Sequence, residues 1–160
     1  MTSLSDDAAA LLHDQLRVLS DRAEIGQLCD RYVMHLDRDR YDDAWLGSVF
    51  TDDAELTFPF GEFRGMGGLA DFQEMSRRTF ARTHHISSNY DIQLDGDHAR
   101  VRVHLTAVHV PLRDEPARHF VIGGHYEAEA VPTVSGWRFR RLDFDLVWNA
   151  GQPPGAAAPS

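Results

Sequence analysis

The stretch "DRAEIGQLCDRYVMHLDRDRYDDAW", residues 21–45, decides the fold. Ile25, Leu28, Cys29, Tyr32 and Leu36 recur in it at i, i+3, i+4, i+7 and i+11. That spacing is one face of an α-helix, an apolar stripe that needs a covering layer. Asp21 with Glu24 three residues on is a capping pattern. It predicts that this helix starts there, and that residues 1–20 form a short helical extension of their own. Asp37 falls about 100° round from Leu36, at the edge of the apolar face. From there it either borders the core or ends the helix.

Downstream, residues 39–50 predict a second short helix anchored by Trp45 and Phe50. "TDDAELTFPFGEFRGMGG" predicts a strand, a turn, a short strand and a glycine turn. The turn leads into a third helix over 69–80, where Leu69, Phe72, Met75 and Phe80 give partial helical spacing. Beyond residue 81 the pattern changes to long strands: "THHISSNYDIQL", "HARVRVHLTAVHVPL", "HFVIGGHYEAEAV" and "WRFRRLDFDLVWNA". Asp95-Gly96 between two alternating runs signals a hairpin. Gly123-Gly124 within a strand permits a bulge or sharp bend. Residues 151–160, "GQPPGAAAPS", cannot build a core and are expected to be a disordered tail. Helices followed by an antiparallel meander indicate an α+β domain over 21–150. A curved antiparallel sheet wrapped on N-terminal helices forms a cone with an internal pocket.

The 160 residues suffice for one domain with a core. A net charge of −9 argues against nucleic acid or an anionic membrane as partner. All 16 basic residues are arginine, which excludes chemistry that needs an internal lysine, such as a Schiff-base aldolase or a pyridoxal-phosphate enzyme. One cysteine, Cys29, rules out an intramolecular disulfide and a thiolate-rich metal site; on its apolar stripe it is expected to be a small buried side chain. No leader and no stretch of membrane-spanning length is visible, so a cytoplasmic protein is expected. The lysine-free, Ala/Asp/Arg-rich composition is associated with GC-rich bacterial genomes.

The chemistry-bearing residues are Tyr32, Asp37 and the pair His84-His85. Imidazole titrates near neutrality, a carboxylate orients it, and a phenol donates a hydrogen bond; together they need no cofactor. Strand alternation puts His84 and His85 on opposite faces. His84 shares parity with Ile86, Ser88, Tyr90, Ile92 and Leu94; His85 shares it with Ser87, Asn89 and Asp91. Parity alone makes the His84 set the buried one. His109 shares parity with Val101, Val103, Leu105 and Ala107, which points it at a cavity or leaves it a satisfied core histidine. Nine histidines carry no H-E-x-x-H or comparable spacing, so no metal is expected.

The segments "YVMHLDRDRYDDAWLGSVFTDDAEL", "THHISSN", "LDGDHARVRV", "GGHYEAEA" and "GWRFRRLDFDLVWNAG" resemble, in order and spacing, the SnoaL-like group of the NTF2-like superfamily. The resemblance spans roughly residues 20 to 151. The group includes scytalone dehydratase, bile-acid 7α-dehydratase, polyketide cyclases, isomerases and the non-catalytic β subunits of ring-hydroxylating dioxygenases. It implies that Asp37 and His85 are the catalytic pair. From the bile-acid enzyme it implies Tyr32 as a supporting donor. His109 lies close to a second histidine of scytalone dehydratase. Gly124 and Tyr126 stand where that enzyme has small polar groups, and Leu36 where it has a tyrosine; both are departures. The resemblance favours His85 over His84 for the pocket, because the outer sheet face is apolar and used in dimerisation.

The expected function is therefore a cofactor-independent dehydratase on a hydrophobic oxygenated small molecule, in bacterial secondary metabolism. In it His85 takes a proton, Asp37 orients the ring, and Tyr32 or Tyr126 polarises a carbonyl. The residues expected to contact substrate are His109, Tyr126, Asn89, Trp148 and His84. An isomerase or polyketide cyclase would start with the same proton abstraction. A non-catalytic subunit would show the same groups buried in packing. An epoxide hydrolase needs carboxylates and an arginine converging on a water, for which the sequence has no clear pattern. A homodimer is expected.

Overall fold

The computed structural model describes residues 3–154. Helix α1 (Ser3–Arg38) is one continuous helix of 36 residues, where the capping pattern predicted a break. The supposed cap makes tertiary contacts instead. Asp21 Oδ1 accepts the Trp137 indole N–H at 3.1 Å, and Glu24 Oε1 accepts the Trp137 backbone N–H at 2.9 Å. Every residue from Ser5 to Arg17 is exposed. Burial starts at Ile25 and follows the expected stripe through Leu28, Cys29, Tyr32 and Leu36, with Val33 beside it.

The helix expected over residues 39–50 shrinks to α2 (Leu46–Val49). Side chains in the preceding segment bond locally rather than support a helix: Asp39 pairs with His35 at 2.6 Å, and Asp42 Oδ1 accepts the Ala44 N–H at 2.9 Å. Strands β1 (Phe50–Phe58) and β2 (Gly61–Arg64) form a hairpin, followed by α3 (Gly65–Thr79). The "GMGG" expected as a turn is thus the first turn of α3. The long strands are β3 (Arg82–Asp95), β4 (His98–Val110), β5 (Phe120–Thr133) and β6 (Gly136–Gly151). Gly151 of the expected tail is the last residue of β6, and residues 155–160 lie outside the described residues.

The six strands form one curved, unclosed sheet in the order β2-β1-β6-β5-β4-β3. It is mixed, because β1 runs parallel to β6 while every other neighbouring pair is antiparallel. Helix α1 lies along the inner face, and the core forms between them. Val101, Val103, Leu105, Tyr126, Phe139 and Leu142 are all buried there.

Two irregularities aim side chains. In β3 the register shifts between Ser88 and Asp91, with Asn89 at φ 56°. Two residues, Asn89 and Tyr90, oppose the single Val103, and alternation is reversed beyond them. His85, Ser87, Tyr90, Ile92 and Leu94 therefore share the inner face, while His84, Ile86 and Ser88 are on the outer one. The unbroken parity that put His84 on the buried face fails at this bulge. Between β5 and β6 the register shifts opposite the glycine pair Gly123/Gly124, where Val147 of β6 is the extra residue.

Candidate active site

The C-terminal end of α1 delivers Asp37 to the inner face of β3. Asp37 Oδ2 accepts the His85 backbone N–H at 2.8 Å, and its Oδ1 meets His85 Nδ1 at 2.6 Å. Thr83, two residues before His85 on the same face, places its hydroxyl 3.0 Å from the same Oδ1. Burial pushes the Asp37 carboxyl up, but the hydrogen bond and charge of His85, its backbone N–H and Thr83 outweigh this and hold it below the usual carboxylate value. An ionised carboxylate only accepts, so the proton on this contact belongs to His85 Nδ1. The lone pair of the neutral ring is then on Nε2, free to receive a proton from a ligand.

His109 lies directly across from Thr83 on β4. Its ring stands edge-on to His85, 5.8 Å between centroids, and packs on Phe80 at 4.6 Å and Phe120 at 6.1 Å. Burial above all, then the charge of His85, pulls its pKa down to about 4; the Phe120 backbone opposes this and Arg40 adds to it. At neutral pH it is an uncharged imidazole, and its Nδ1 is buried without a hydrogen-bond partner. Arg40 closes the other side, buried at 6% exposure. One guanidinium nitrogen donates to Thr83 Oγ1 at 3.0 Å; the other donates to the carbonyls of Phe80 and Ser76, at 2.7 and 3.2 Å.

The family model for the SnoaL-like domain matches residues 17–143. This chain belongs to that family. An uncharacterized protein of Mycobacterium tuberculosis is 31% identical over 130 residues, covering 77% of this chain and 83% of its own. Among solved structures, a candidate scytalone dehydratase from Novosphingobium aromaticivorans superposes with a TM-score of 0.75 at 24% identity, over 88% of this chain and 93% of that one. A hexachlorocyclohexane dehydrochlorinase from Novosphingobium barchaimii gives 0.74 at 19% identity, over 91% and 99%. These likenesses establish the fold.

In this SnoaL-like domain the expected site residues separate into three places. His85, Asp37 and His109 are together. Tyr32 and Tyr126 sit in the core, their rings 6.2 Å apart, and Tyr32 also touches Phe50 and Phe139. Five residues of helix turn Tyr32 roughly 140° away from Asp37 and about 7.5 Å along the axis. Burial pushes both phenols well above their ordinary value. The Tyr126 hydroxyl is buried with the Cys29 thiol as its hydrogen-bonding neighbour. Cys29 is fully buried, and desolvation lifts its pKa to about 12, which makes it an inert thiol.

The remaining three residues face away. Asn89 is the exposed bulge residue, holding a left-handed conformation that asparagine tolerates. His84 is exposed on the outer face opposite Val108. Trp148 pairs with Gly123 and covers it from the outer side, 47% exposed. Thr83 and Arg40 were not anticipated. Thr83 was legible, since it shares the parity of His85. Arg40 was not: inside "DRDR" it looks like one more solvated charge, and its carbonyl partners come from α3, a segment 36 to 40 residues away.

Among the described residues no helix is long and apolar enough to cross a membrane, and no group of three or more His, Cys, Asp or Glu side chains converges to hold a metal ion.

Proposed function

We propose that this SnoaL-like domain is a cofactor-independent acid–base enzyme, and that it is a dehydratase acting on a hydrophobic, oxygenated small molecule of bacterial secondary metabolism. The observation that carries the reading is the 2.6 Å contact between His85 Nδ1 and Asp37, with the uncharged His109 ring beside it. His85 Nε2 takes the acidic proton next to a carbonyl, and the electron pair of that C–H bond becomes an enolate. The imidazolium so formed is stabilised by Asp37. It returns the proton to the departing hydroxyl as the C–O bond breaks, and water leaves. The Nδ1 of His109, buried beside His85, is the polar atom there that has room for a ligand's hydrogen bond. An isomerase or a cyclase would use the same first step, with the enolate reprotonated elsewhere or attacking a second carbonyl.

His85→Ala and Asp37→Ala are each expected to lower kcat/KM at least about a hundredfold while circular dichroism and melting show a folded chain. Full activity in both variants, on a substrate the native chain converts, would sink the assignment.

We also propose that the protein is a homodimer joined through the outer sheet face. The supporting feature is a run of apolar groups there, with Ile86, Val147 and Trp148 each about half exposed or more.

A further inference from the structure

A buried arginine with no carboxylate in direct contact is expensive to keep, and Arg40 is one. Among the described residues its hydrogen-bond partners are a hydroxyl and two backbone carbonyls. The two carbonyls stand at the C-terminal end of α3, where a cation is favoured; Ser76 O also accepts the Phe80 N–H at 2.9 Å, and Phe80 itself is the residue that ends the helix. That explains one edge of the guanidinium as a helix cap. It does not explain the other, which reaches Thr83.

We propose that Arg40 is the positioning residue of the His85–Asp37 pair, fixing the Thr83 hydroxyl against Asp37 and supplying the buried positive charge that the pair faces. This rests on the reading of His85 and Asp37 as the reacting pair. The Thr83 oxygen has two acceptors within reach, Asp37 Oδ1 at 3.0 Å and the Leu36 carbonyl at 3.2 Å, and one proton to give. Because Arg40 donates into that oxygen, the hydroxyl proton must point outward to one of these two, and the ionised carboxylate is the stronger acceptor. Asp37 Oδ1 thus receives two hydrogen bonds, from Thr83 and His85, and Oδ2 receives the His85 backbone N–H. A carboxylate held at both oxygens cannot rotate, and the imidazole is locked in turn.

The charges around Arg40 are few. Tyr41 and Asp37 favour its protonated form; Arg77 of α3 opposes it, and burial opposes it most. Arg77 is itself spent on Asp43, at 3.0 and 3.1 Å, and on Glu74 at 2.5 Å. On the other side, His109 feels Arg40 together with His85 and Asp37. Arg40 therefore supplies a cation, but not as a ligand-facing group: it acts through Thr83 and through the field at His109.

The test is nuclear magnetic resonance of histidine-labelled protein, with Arg40→Met, Arg40→Lys and Thr83→Val. A histidine N–H held on a carboxylate gives a far-downfield proton signal that exchanges slowly with water. In the native chain His85 Nδ1–H should show it. Arg40→Met and Thr83→Val are expected to speed its exchange at least about tenfold, as the relay loosens. The His109 titration midpoint should rise by about one pH unit in Arg40→Met, stay put in Thr83→Val, and return toward the native value in Arg40→Lys, which restores the charge. A cap without a positioning role would lower the melting temperature and leave both signals where they were; that result overturns the proposal. If Arg40→Met does not fold, Thr83→Val decides it by the exchange rate alone. None of these readouts uses a substrate. A finding that His85 is dispensable for turnover would end the enzymatic reading and leave the positioning result standing.

Discussion

At neutral pH the Asp37 carboxylate has no proton to give, so it dictates which nitrogen of His85 is the base. An amide in its place can offer an N–H to the ring and turn the tautomer over. Asp37→Asn is therefore expected to lower kcat by roughly 10² to 10⁴ with KM little changed, because shape and binding survive and the lone pair moves. Nitrogen-15 shifts of His85 would show Nδ1 losing its proton in that variant; an unchanged tautomer with full loss of activity would point to a different role for Asp37. His109 sets a separate, pH-linked effect. Its folded-state pKa of about 4 lies below the ordinary value of 6.5, so the unfolded chain binds a proton that the folded one refuses between those pH values. Stability from this group is complete above about pH 6.5 and falls as pH drops toward 4, by about 3 kcal/mol in total. His109→Phe, which keeps an aromatic ring among Phe80 and Phe120, should flatten that acid limb. Urea melts at pH 7 and pH 4.5 measure it, and an equal loss in native and variant chains would refute the linkage. Asp37 and His85 could be named from their place in a helix–strand pattern. Arg40 could not, since what distinguishes it from Arg38 is a set of distant carbonyls and no local spacing encodes those.

The strands carry their own test in two adjacent glycines with different neighbours. A Cβ built on Gly124 would stand 2.0 Å from the Asp145 backbone oxygen, which only a shift of β6 could relieve. A Cβ on Gly123 would stand 2.0 Å from the indole of Trp148, a half-exposed side chain that can swing away. Gly124→Ala is expected to cost about 3 kcal/mol and Gly123→Ala about 1 kcal/mol. Adding Trp148→Ala should remove most of the Gly123 cost and none of the Gly124 cost. Chemical denaturation of the six chains, native and Trp148→Ala each with neither or one of the two alanines, decides this, and equal costs for the two alanines would show that β6 yields as easily as the indole. The glycine pair announced an irregularity in the sequence, because glycine has few other reasons to stand mid-strand, although the extra residue is Val147 opposite it on β6. The β3 bulge gave no such notice. Asn89 is a common strand-edge polar residue in sequence, and only its opposition with Tyr90 to a single Val103 shows the slip. That one extra residue makes His85 and Ile92 share a face, and strict alternation had to misassign one of them. Continuous α1 went unread for a related reason: Asp21 and Glu24 carry the chemistry of a cap, and only the distant Trp137 shows that they are used as acceptors across the fold.

The whole molecule exposes 9760 Å². A folded monomer of 18.1 kDa typically exposes about 8,000 Å². The first turns of α1 are one source of the excess, since Leu11, Leu12, Leu16 and Leu19 are each more than half exposed and contribute nothing to the core. Removing residues 1–16, which lie before the family match, should therefore leave the melting temperature within a few degrees. The outer sheet face is the other place where apolar surface lacks cover, and it divides in two. One half is charged and self-neutralised, by Arg102–Glu127 at 2.7 Å, Arg140–Glu129 at 2.8 Å and Arg141–Asp143 at 2.7 Å. The other half is a pair of cross-strand rows, Ile86–Thr106–Gly123–Trp148 and His84–Val108–Val121–Ala150. Paired charges around an apolar patch suit a second copy of the same surface, since a two-fold contact matches a patch with itself. A stable dimer buries about 800 Å² on each partner, less than half of the excess. Sedimentation equilibrium of the native chain should give a dimer, and Ile86→Glu combined with Trp148→Glu should give a monomer that keeps the His85–Asp37 contact, because neither residue touches the inner face. A native chain that sediments as a monomer at all concentrations tested would refute the dimer. A double variant that remains a dimer would move the interface to the exposed leucines of α1, where the chain lacking residues 1–16 would then be the monomer.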